Sequence, residues 1–536
     1  MIFRPAKLNL DRILFQIYKH LPTMLTSNAP LFSVSTKEIF PQAEFENCED
    51  IIIKSCRFNS QRIMKGDLYA AMEDPSVDPS GVEEALQRGA CGVLARNKFS
   101  FSDSCACLVG VPVCKVNNPH AAYAQICQAL HGNPGKDLKV IGVTGGYGRR
   151  VVAYLIGEIL SQAGHKTGIL TEKGASIIGM AEIAHAPKDF QQFCEIMAEI
   201  VKSYPSEMPG LPPKKSAYWL SRMKQNECKY VVMEVTQTAL DKSNAAGIPF
   251  HAVCVTRPYR YNAHPSVAGD SAAARSQLID QVHHEGFTIF NGDDPAANEI
   301  LAQRPGAVLT FGINGSPQVH GEILEQYLGE QTALITAGSQ TIPLRTRIVG
   351  RDFLYACLCA IAFGLTCLID LKQIIRSIES TSIIPGYLQQ IPCGRDYSIY
   401  LTQDISNDDD PLASHLATIR TVNEGRIFCV MNVPQNQPIS GSVDFNLKAF
   451  HQKGDKVFLI GCREDNPDFV SNLEKRLNGE VEVFLRKKDA IKAALAEIQP
   501  KDALVVAGNE DFHKALLPDH VSDDEQIRML LERSWV

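Results

Sequence analysis

From Leu138 onward the chain repeats one unit: a short uninterrupted apolar run, a turn rich in small polar residues, and a stretch with helical spacing. The runs LKVIGV, KYVVMEV, HAVCVT, FTIFNGDD and AVLTFG do not alternate polar and apolar residues, so strands built from them must be covered on both faces. A parallel sheet with helices on its two sides meets that demand, and the pattern predicts an α/β fold. In VVAYLIGEILSQAG, the residues Val151, Val152, Leu155, Ile156, Ile159 and Leu160 form one helical stripe, and Gly164 is placed to end the helix.

The reading extends in both directions. Residues Ile51 to Val116 alternate short apolar strands with a helix at Gly81–Arg88 and a strand at Gly92–Ala95, a small α/β domain. A helix from Ala121 to Leu130 then enters HGNPGKD, whose Gly, Pro and Asp residues mark a linker. A third block starts near Pro385-Gly386 and carries strands at IFCVM, KVFLIG, VEVFL and ALVVAG with helices such as KKDAIKAALAEI, a second open α/β sheet. Between Met180 and Ser216 the rhythm fails, and Pro205, Pro209, Pro212 and Pro213 predict an inserted surface loop. A chain of 536 residues needs more than one core. The expected division is 1–137, 138–384 with an insert at about 181–215, and 385–536.

A net charge of -7 leaves no broad basic footprint and speaks against nucleic acid as partner. The 16 cysteines are scattered, without a Cys-x-x-Cys pair or zinc-ligand spacing. Cys105/Cys107 and Cys357/Cys359 lie in apolar runs and read as buried free thiols, which places the protein in a reducing cytoplasm. At the N-terminus Leu10, Ile13, Leu14, Ile17 and Leu21 are helically spaced but interrupted by Asp11, Arg12 and Lys19. That predicts a helix docked on the first domain rather than a signal peptide or membrane span.

The chemistry concentrates in VIGVTGGYGRRVVAYLIGEIL, Val140 to Leu160, where a strand turns through glycines into a helix. Unpaired N–H groups at such a helix start, aided by the helix dipole, make an anion site. Gly145 and Gly148 supply the turn. A full phosphate loop also needs a lysine for the outer phosphates and a Ser or Thr hydroxyl for magnesium, and here Arg149 and Arg150 follow instead.

Ordered motifs across the chain resemble the Mur ligases, and within them the UDP-N-acetylmuramoyl-tripeptide synthetases (MurE type). They are KSCRFNSQRIMKGDLYAAM with EEALQRGACGVL in the first block, then VIGVTGGYGRR, VVMEVTQTAL, SAAARSQLI and NGDDP, then IPGYLQQI and ALVVAGNEDF with SDDEQIRMLL. The resemblance implies three domains: one for a UDP-sugar-peptide, a central P-loop-like ATPase domain, and a C-terminal Rossmann-like domain for an incoming amino acid. It implies ATP and Mg2+ as cofactors if the site is active, acyl phosphate chemistry, and work in the cytoplasm on peptidoglycan precursors. By resemblance, the nucleotide site holds Gly145, Gly148, Arg149, Arg150, Asn291 and Asp294, the UDP-sugar site holds Ser55, Cys56 and Arg57, and Glu234 is the magnesium ligand.

The sequence departs from that family at polar positions. Arg149 stands for the loop lysine and Arg150 for its threonine, and neither replacement is conservative. After Glu234 the chain reads Thr236, Gln237, Thr238, Ala239 where the family has S-S-H-A. In Thr256–His264 only Thr256 and Arg260 match, and Arg275 replaces a lysine that is carbamylated in the family. Tyr387 replaces an arginine, Thr402–Asn407 replaces D-Y-A-H-T-P, and Asp465, Asn466, Pro467 and Asp468 end in an acid where D-N-P-R ends in arginine. The expectation is a catalytically impaired protein of this fold that binds a nucleotide, a UDP-sugar-peptide or a protein partner in cell-wall synthesis. The alternative is an active ATP-dependent acid–amino acid ligase with a rearranged phosphate site.

Overall fold

The computed structural model describes residues 32–72, 79–97, 110–146, 148–172, 174–178, 210–256, 278–294, 307–327, 329–381, 384, 387–391, 396–402, 411–433, 454–461, 467–477 and 480–507. The expected N-terminal docking helix, most of the expected insert, Arg260, Arg275, Asp465, Asn466 and the Cys105/Cys107 pair lie outside these residues.

The described residues form three α/β sheets beside a short β1–β3 ribbon, Val34–Ser35 with Ile52–Ile53. In the first sheet β2 (Glu44–Glu46), β4 (Cys56–Arg57), β5 (Leu68–Ala70), β6 (Gly92–Arg96) and β7 (Val113–Val116) stand in the order β2-β7-β6-β5-β4. All its pairings are parallel except β2 on β7. Helix Pro119–Leu130 covers it, started by Asn118, whose side chain accepts the N–H of Ala121, with Pro119 following in the first turn. The expected linker behind it is a short 3-10 turn, Pro134–Lys136, with Pro134 and Gly135 buried; a Cβ on Gly135 would sit 3.1 Å from Pro249 Cδ.

The second sheet has ten strands: β8 (Lys139–Thr144), β9 (Thr167–Thr171), β10 (Gly174–Ile178), β11 (Tyr230–Glu234), β12 (Phe250–Val255), β13 (Val282–Asn291), β14 (Ala307–Gly312), β15 (Val319–Tyr327), β16 (Glu330–Ala337) and β17 (Gln340–Thr346). Their order is β10-β9-β11-β8-β12-β13-β14-β15-β16-β17. The run β9 to β15 is parallel, as the apolar segments predict. The two margins are not: β10 is antiparallel to β9, and β15-β16-β17 is an antiparallel meander. Alternating burial along Glu330–Ala337 shows why, since the core side of these strands is apolar and the other side partly open.

Helix Arg149–Gln162 lies on the sheet with its predicted stripe fully buried, and helix Arg351–Thr366, which holds Cys357 and Cys359 as buried thiols, packs into the same core. The proline-rich end of the expected insert is corrected. Pro212 caps and Pro213 begin a helix, Pro213–Gln225, because a ring that lacks an N–H and fixes φ suits a first helical turn. Its Leu220 and Met223 enter the core on the other face of the second sheet, and its Ala217 enters the core of the first.

The third sheet orders β18 (Gln389–Ile391), β19 (Ser398–Thr402), β20 (Ile427–Asn432), β21 (Lys456–Ile460), β22 (Val481–Phe484) and β23 (Ala503–Ala507) as β18-β19-β23-β20-β21-β22. Five strands are parallel, with β18 antiparallel on the edge, which is the open α/β sheet the apolar runs predict.

Candidate functional site

The glycine loop leaves the C-terminal end of β8, whose neighbours are β11 on one side and β12 on the other. Successive segments therefore depart to opposite sides of β8, the kind of crevice where open α/β sheets bind ligands. Gly145 has φ +119° and Gly148 φ +84°; Gly148 caps helix Arg149–Gln162 with no side-chain bond, so the turn rests on backbone freedom alone.

Arg149 does not face solvent. Its Nη1 donates to the carbonyls of both Gly145 and Gly146. Its Nε donates to Glu234 Oε1 at 3.4 Å, and the two side chains are 6% and 5% exposed. Glu234 ends β11, in register with Val143 of β8, so neighbouring strand ends create the pair. Its second oxygen, Oε2, is buried without a hydrogen-bond partner among the described residues. Arg150 is half-buried on the first turn of the same helix, close enough to Tyr154 to act on it; burial holds the Tyr154 hydroxyl above its ordinary pKa while the Arg150 cation pulls it down.

Sequence reasoning missed Glu172. It follows β9, and its Oε1 accepts from Thr236 Oγ1 at 2.7 Å and from the Gly210 N–H at 2.5 Å. Burial first, and then the Glu234 carboxylate, hold Glu172 above the ordinary carboxylate range, while bonds from Thr236 and Gly210 and the Arg149 charge pull it back. Glu234 is thus ion-paired with the buried guanidinium, while Glu172 feels its charge without pairing to it. Thr256, at the end of β12, closes the other flank by donating from Oγ1 to the Thr144 carbonyl at 3.1 Å.

Asn291 and Asp294 stand one strand further, at the end of β13, and both are buried. Asn291 Oδ1 accepts the Asp293 N–H at 3.0 Å, and its carbonyl accepts that of Asp294 at 3.1 Å, a strand-end turn. Asp293 binds that turn to its surroundings, accepting from the Ile313 N–H at 2.7 Å and from Tyr355 Oη at 2.8 Å. A small recess lined by Gly148, Val152, Thr256, Phe311, Asp352 and Tyr355 lies between this turn and the loop. The structure thus brings Gly145, Arg149 and Glu234 into direct contact, with Gly148 capping the helix that Arg149 begins, and sets Asn291 and Asp294 along the same sheet edge.

Ser55 and Arg57 converge on Asp67 of the KGDL turn. Ser55 Oγ donates to Asp67 Oδ1, and Arg57 Nε lies 2.7 Å from Asp67 Oδ2. The reading of Cys56 as a UDP-sugar contact is corrected: its thiol is buried in the core with Leu68, Tyr123 and Cys127, and burial raises its pKa well above the ordinary thiol value. Alternation along β4 causes this, since neighbours of an outward-facing pair point inward.

Tyr387, the residue after the third block's Pro-Gly, is buried between Phe353 and His415, with ring centroids at 5.9 and 4.6 Å. Thr402 Oγ1 bonds to His415 Nδ1. Burial lowers the His415 pKa to about 3, so the ring is neutral at ordinary pH.

The Mur ligase middle domain family matches residues 143–364. The chain is 23% identical over 516 residues to the UDP-N-acetylmuramoyl-L-alanyl-D-glutamate--2,6-diaminopimelate ligase of Bacillus cereus, covering 92% of this chain and 96% of that one. It is 23% identical over 501 residues to the ligase of that name from Syntrophomonas wolfei, covering 90% and 95%. Among solved structures, a diaminopimelate ligase of that description aligns with a TM-score of 0.61 at 15% identity, covering 94% of this chain and all of the other. A folylpolyglutamate synthase of Mycobacterium tuberculosis, complexed with ADP and AMPPCP, aligns at 0.57 and 14% identity over 77% and 95%. Among the described residues no helix is long and apolar enough to cross a membrane. A matching middle domain, set within a likeness that runs nearly end to end, makes this chain similar to the Mur ligases.

Proposed function

We propose that this protein is a Mur-ligase-fold binding protein whose ATP-driven ligation is impaired, related to the enzymes that build peptidoglycan precursors. The observation that supports this reading is Arg149: its guanidinium fills the glycine loop, bonded to two loop carbonyls and paired with Glu234. An incoming triphosphate would have to break that ion pair and leave Glu234 buried without its partner, at a cost of about 3–5 kcal/mol. The groups at hand also fit magnesium poorly. Glu234 is already neutralised by Arg149, and Arg150 offers no hydroxyl oxygen where a metal ligand is needed. Phosphoryl transfer depends on positioning and charge neutralisation, so the change falls on the terms that matter most.

Ligand binding is then the function retained, with a nucleotide at Gly145, Gly148, Arg149, Arg150, Asn291 and Asp294, or a UDP-sugar-peptide at the first sheet near Ser55 and Arg57. A protein partner in cell-wall synthesis is the third class. The second reading, an active ATP- and Mg2+-dependent acid–amino acid ligase, draws support from two carboxylates beside the loop, the half-buried Glu172 and the buried Glu234. Calorimetric titration of ATP into the purified chain, with and without magnesium, separates the two. The expected result is weak ATP binding that is the same with and without magnesium, strengthened by Arg149→Lys with Arg150→Thr. Tight magnesium-dependent binding by the native chain would establish the second reading instead.

A further inference from the structure

The second sheet carries another cluster at its opposite end. β12 and β13 pair at Phe250↔Val282 and next at Ala252↔Phe287, so one residue of β12, His251, faces four of β13: His283, His284, Glu285 and Gly286. His251 is itself extra against β8, where Phe250 pairs with Val140 and Ala252 with Ile141. An enlarged bulge of this kind bends the strand and re-aims its side chains. Glycine is required to close it, because a Cβ on Gly286 would lie 2.6 Å from the His251 carbonyl oxygen.

The bulge holds His283, His284 and Glu285 in solvent with one ligand atom from each inside 4.8 Å of the others. The two imidazole centroids are 4.0 Å apart, and His284 Nε2 is 3.9 Å from Glu285 Oε1, too far for a hydrogen bond. The Glu285 N–H makes a long 3.4 Å contact to His283 Nδ1, weak enough for a metal to displace. Ligands of a tetrahedral ion at about 2.0–2.2 Å stand roughly 3.4 Å from one another, within reach of small rotamer changes here. Half-buried His251 sits beside them.

We propose that His283, His284 and Glu285 form a site for a late first-row divalent ion, two imidazoles and a carboxylate with open positions for water or a further ligand. That donor set suits Zn2+ and excludes Mg2+, which prefers oxygen. The site is separate from the glycine loop: it lies at the N-terminal ends of β12 and β13, about 16 Å of strand from the C-terminal ends.

The test is Zn2+ titration by calorimetry of the full chain, metal-stripped, nucleotide-free and reduced with a non-chelating phosphine. One saturable event per chain is expected, weakened at least tenfold by His283→Ala with His284→Ala and to a smaller degree by Glu285→Gln. All three residues are exposed, so the variants should keep the native circular dichroism. Because free cysteines also bind zinc, Co2+ absorption supplies a second readout: a spectrum of nitrogen and oxygen ligation is expected. Thiolate charge-transfer absorption, unchanged affinity in the double variant, or no saturable binding in the native chain would each overturn the site.

Discussion

Arg149 shows how one side chain can redirect a site while the backbone around it is kept. Gly145 and Gly148 hold their positive φ values, and the helix begins where a phosphate loop's helix begins. Yet the charge that should meet a ligand is spent on the protein's own carbonyls and on Glu234. If the pair is coupled as its burial implies, Glu234→Gln alone should destabilise the chain by about 3–5 kcal/mol, because it strands a buried guanidinium. Arg149→Met with Glu234→Gln should then cost less than the sum of the single changes, by at least about 1 kcal/mol. Denaturant unfolding of the four proteins measures this, and strict additivity would mean that the pair contributes nothing. At this scale the sequence discloses Arg149, Arg150 and Glu234 through their places in known motifs. It hides Glu172, because a lone glutamate after TGILT has no local spacing to betray it, and its partners Gly210 and Thr236 arrive from distant segments.

Elements were legible where burial is complete on both faces. β8, β11 and β12 fall on uninterrupted apolar runs, and the stripe from Val151 to Leu160 is buried as its spacing requires. The meander from Val319 to Thr346 was not legible as part of the sheet, since half-exposed strands dilute the apolar signal with residues such as Glu322, Glu325 and Glu330. Proline misled for another reason: the residue that breaks a helix interior is favoured at its start, as Pro213 shows. The loop element itself offers a test of what its glycines do. Gly148→Ala meets no atom within 4 Å, so its cost is the left-handed backbone alone, about 1–2 kcal/mol. Gly142→Ala lacks a positive φ but places a Cβ 3.0 Å from the Phe250 ring, so its cost is steric and falls on the core. Thermal unfolding should therefore respond to Gly148→Ala modestly, and to Gly142→Ala only as far as Phe250 fails to move. If Gly148→Ala leaves the melting temperature unchanged, the loop does not rest on that conformation.

Across the whole molecule, the second and third sheets are joined by one continuous apolar core, which runs from Phe353 and Leu358 of helix Arg351–Thr366 through Tyr387 to Leu412, Leu416 and Ile427. Gly350 permits the close approach, since a Cβ there would lie 2.8 Å from Thr418. His415 sits in this seam as a neutral ring against Tyr387 and Thr402, where an ordinary histidine would be half-charged near pH 6.5. Its folded pKa of about 3 lies below the unfolded value, so between those limits the unfolded chain binds the extra proton. Stability from this group is therefore complete above about pH 6.5 and is lost progressively as pH falls toward 3, by up to a few kcal/mol. Acid should loosen the seam before it protonates ordinary carboxylates. Urea unfolding at pH 7 and pH 5 should show this loss in the native chain and a smaller one in His415→Gln, which keeps a bond to Thr402 but cannot titrate. An equal loss in both proteins would place the acid sensitivity elsewhere and leave the seam as packing alone.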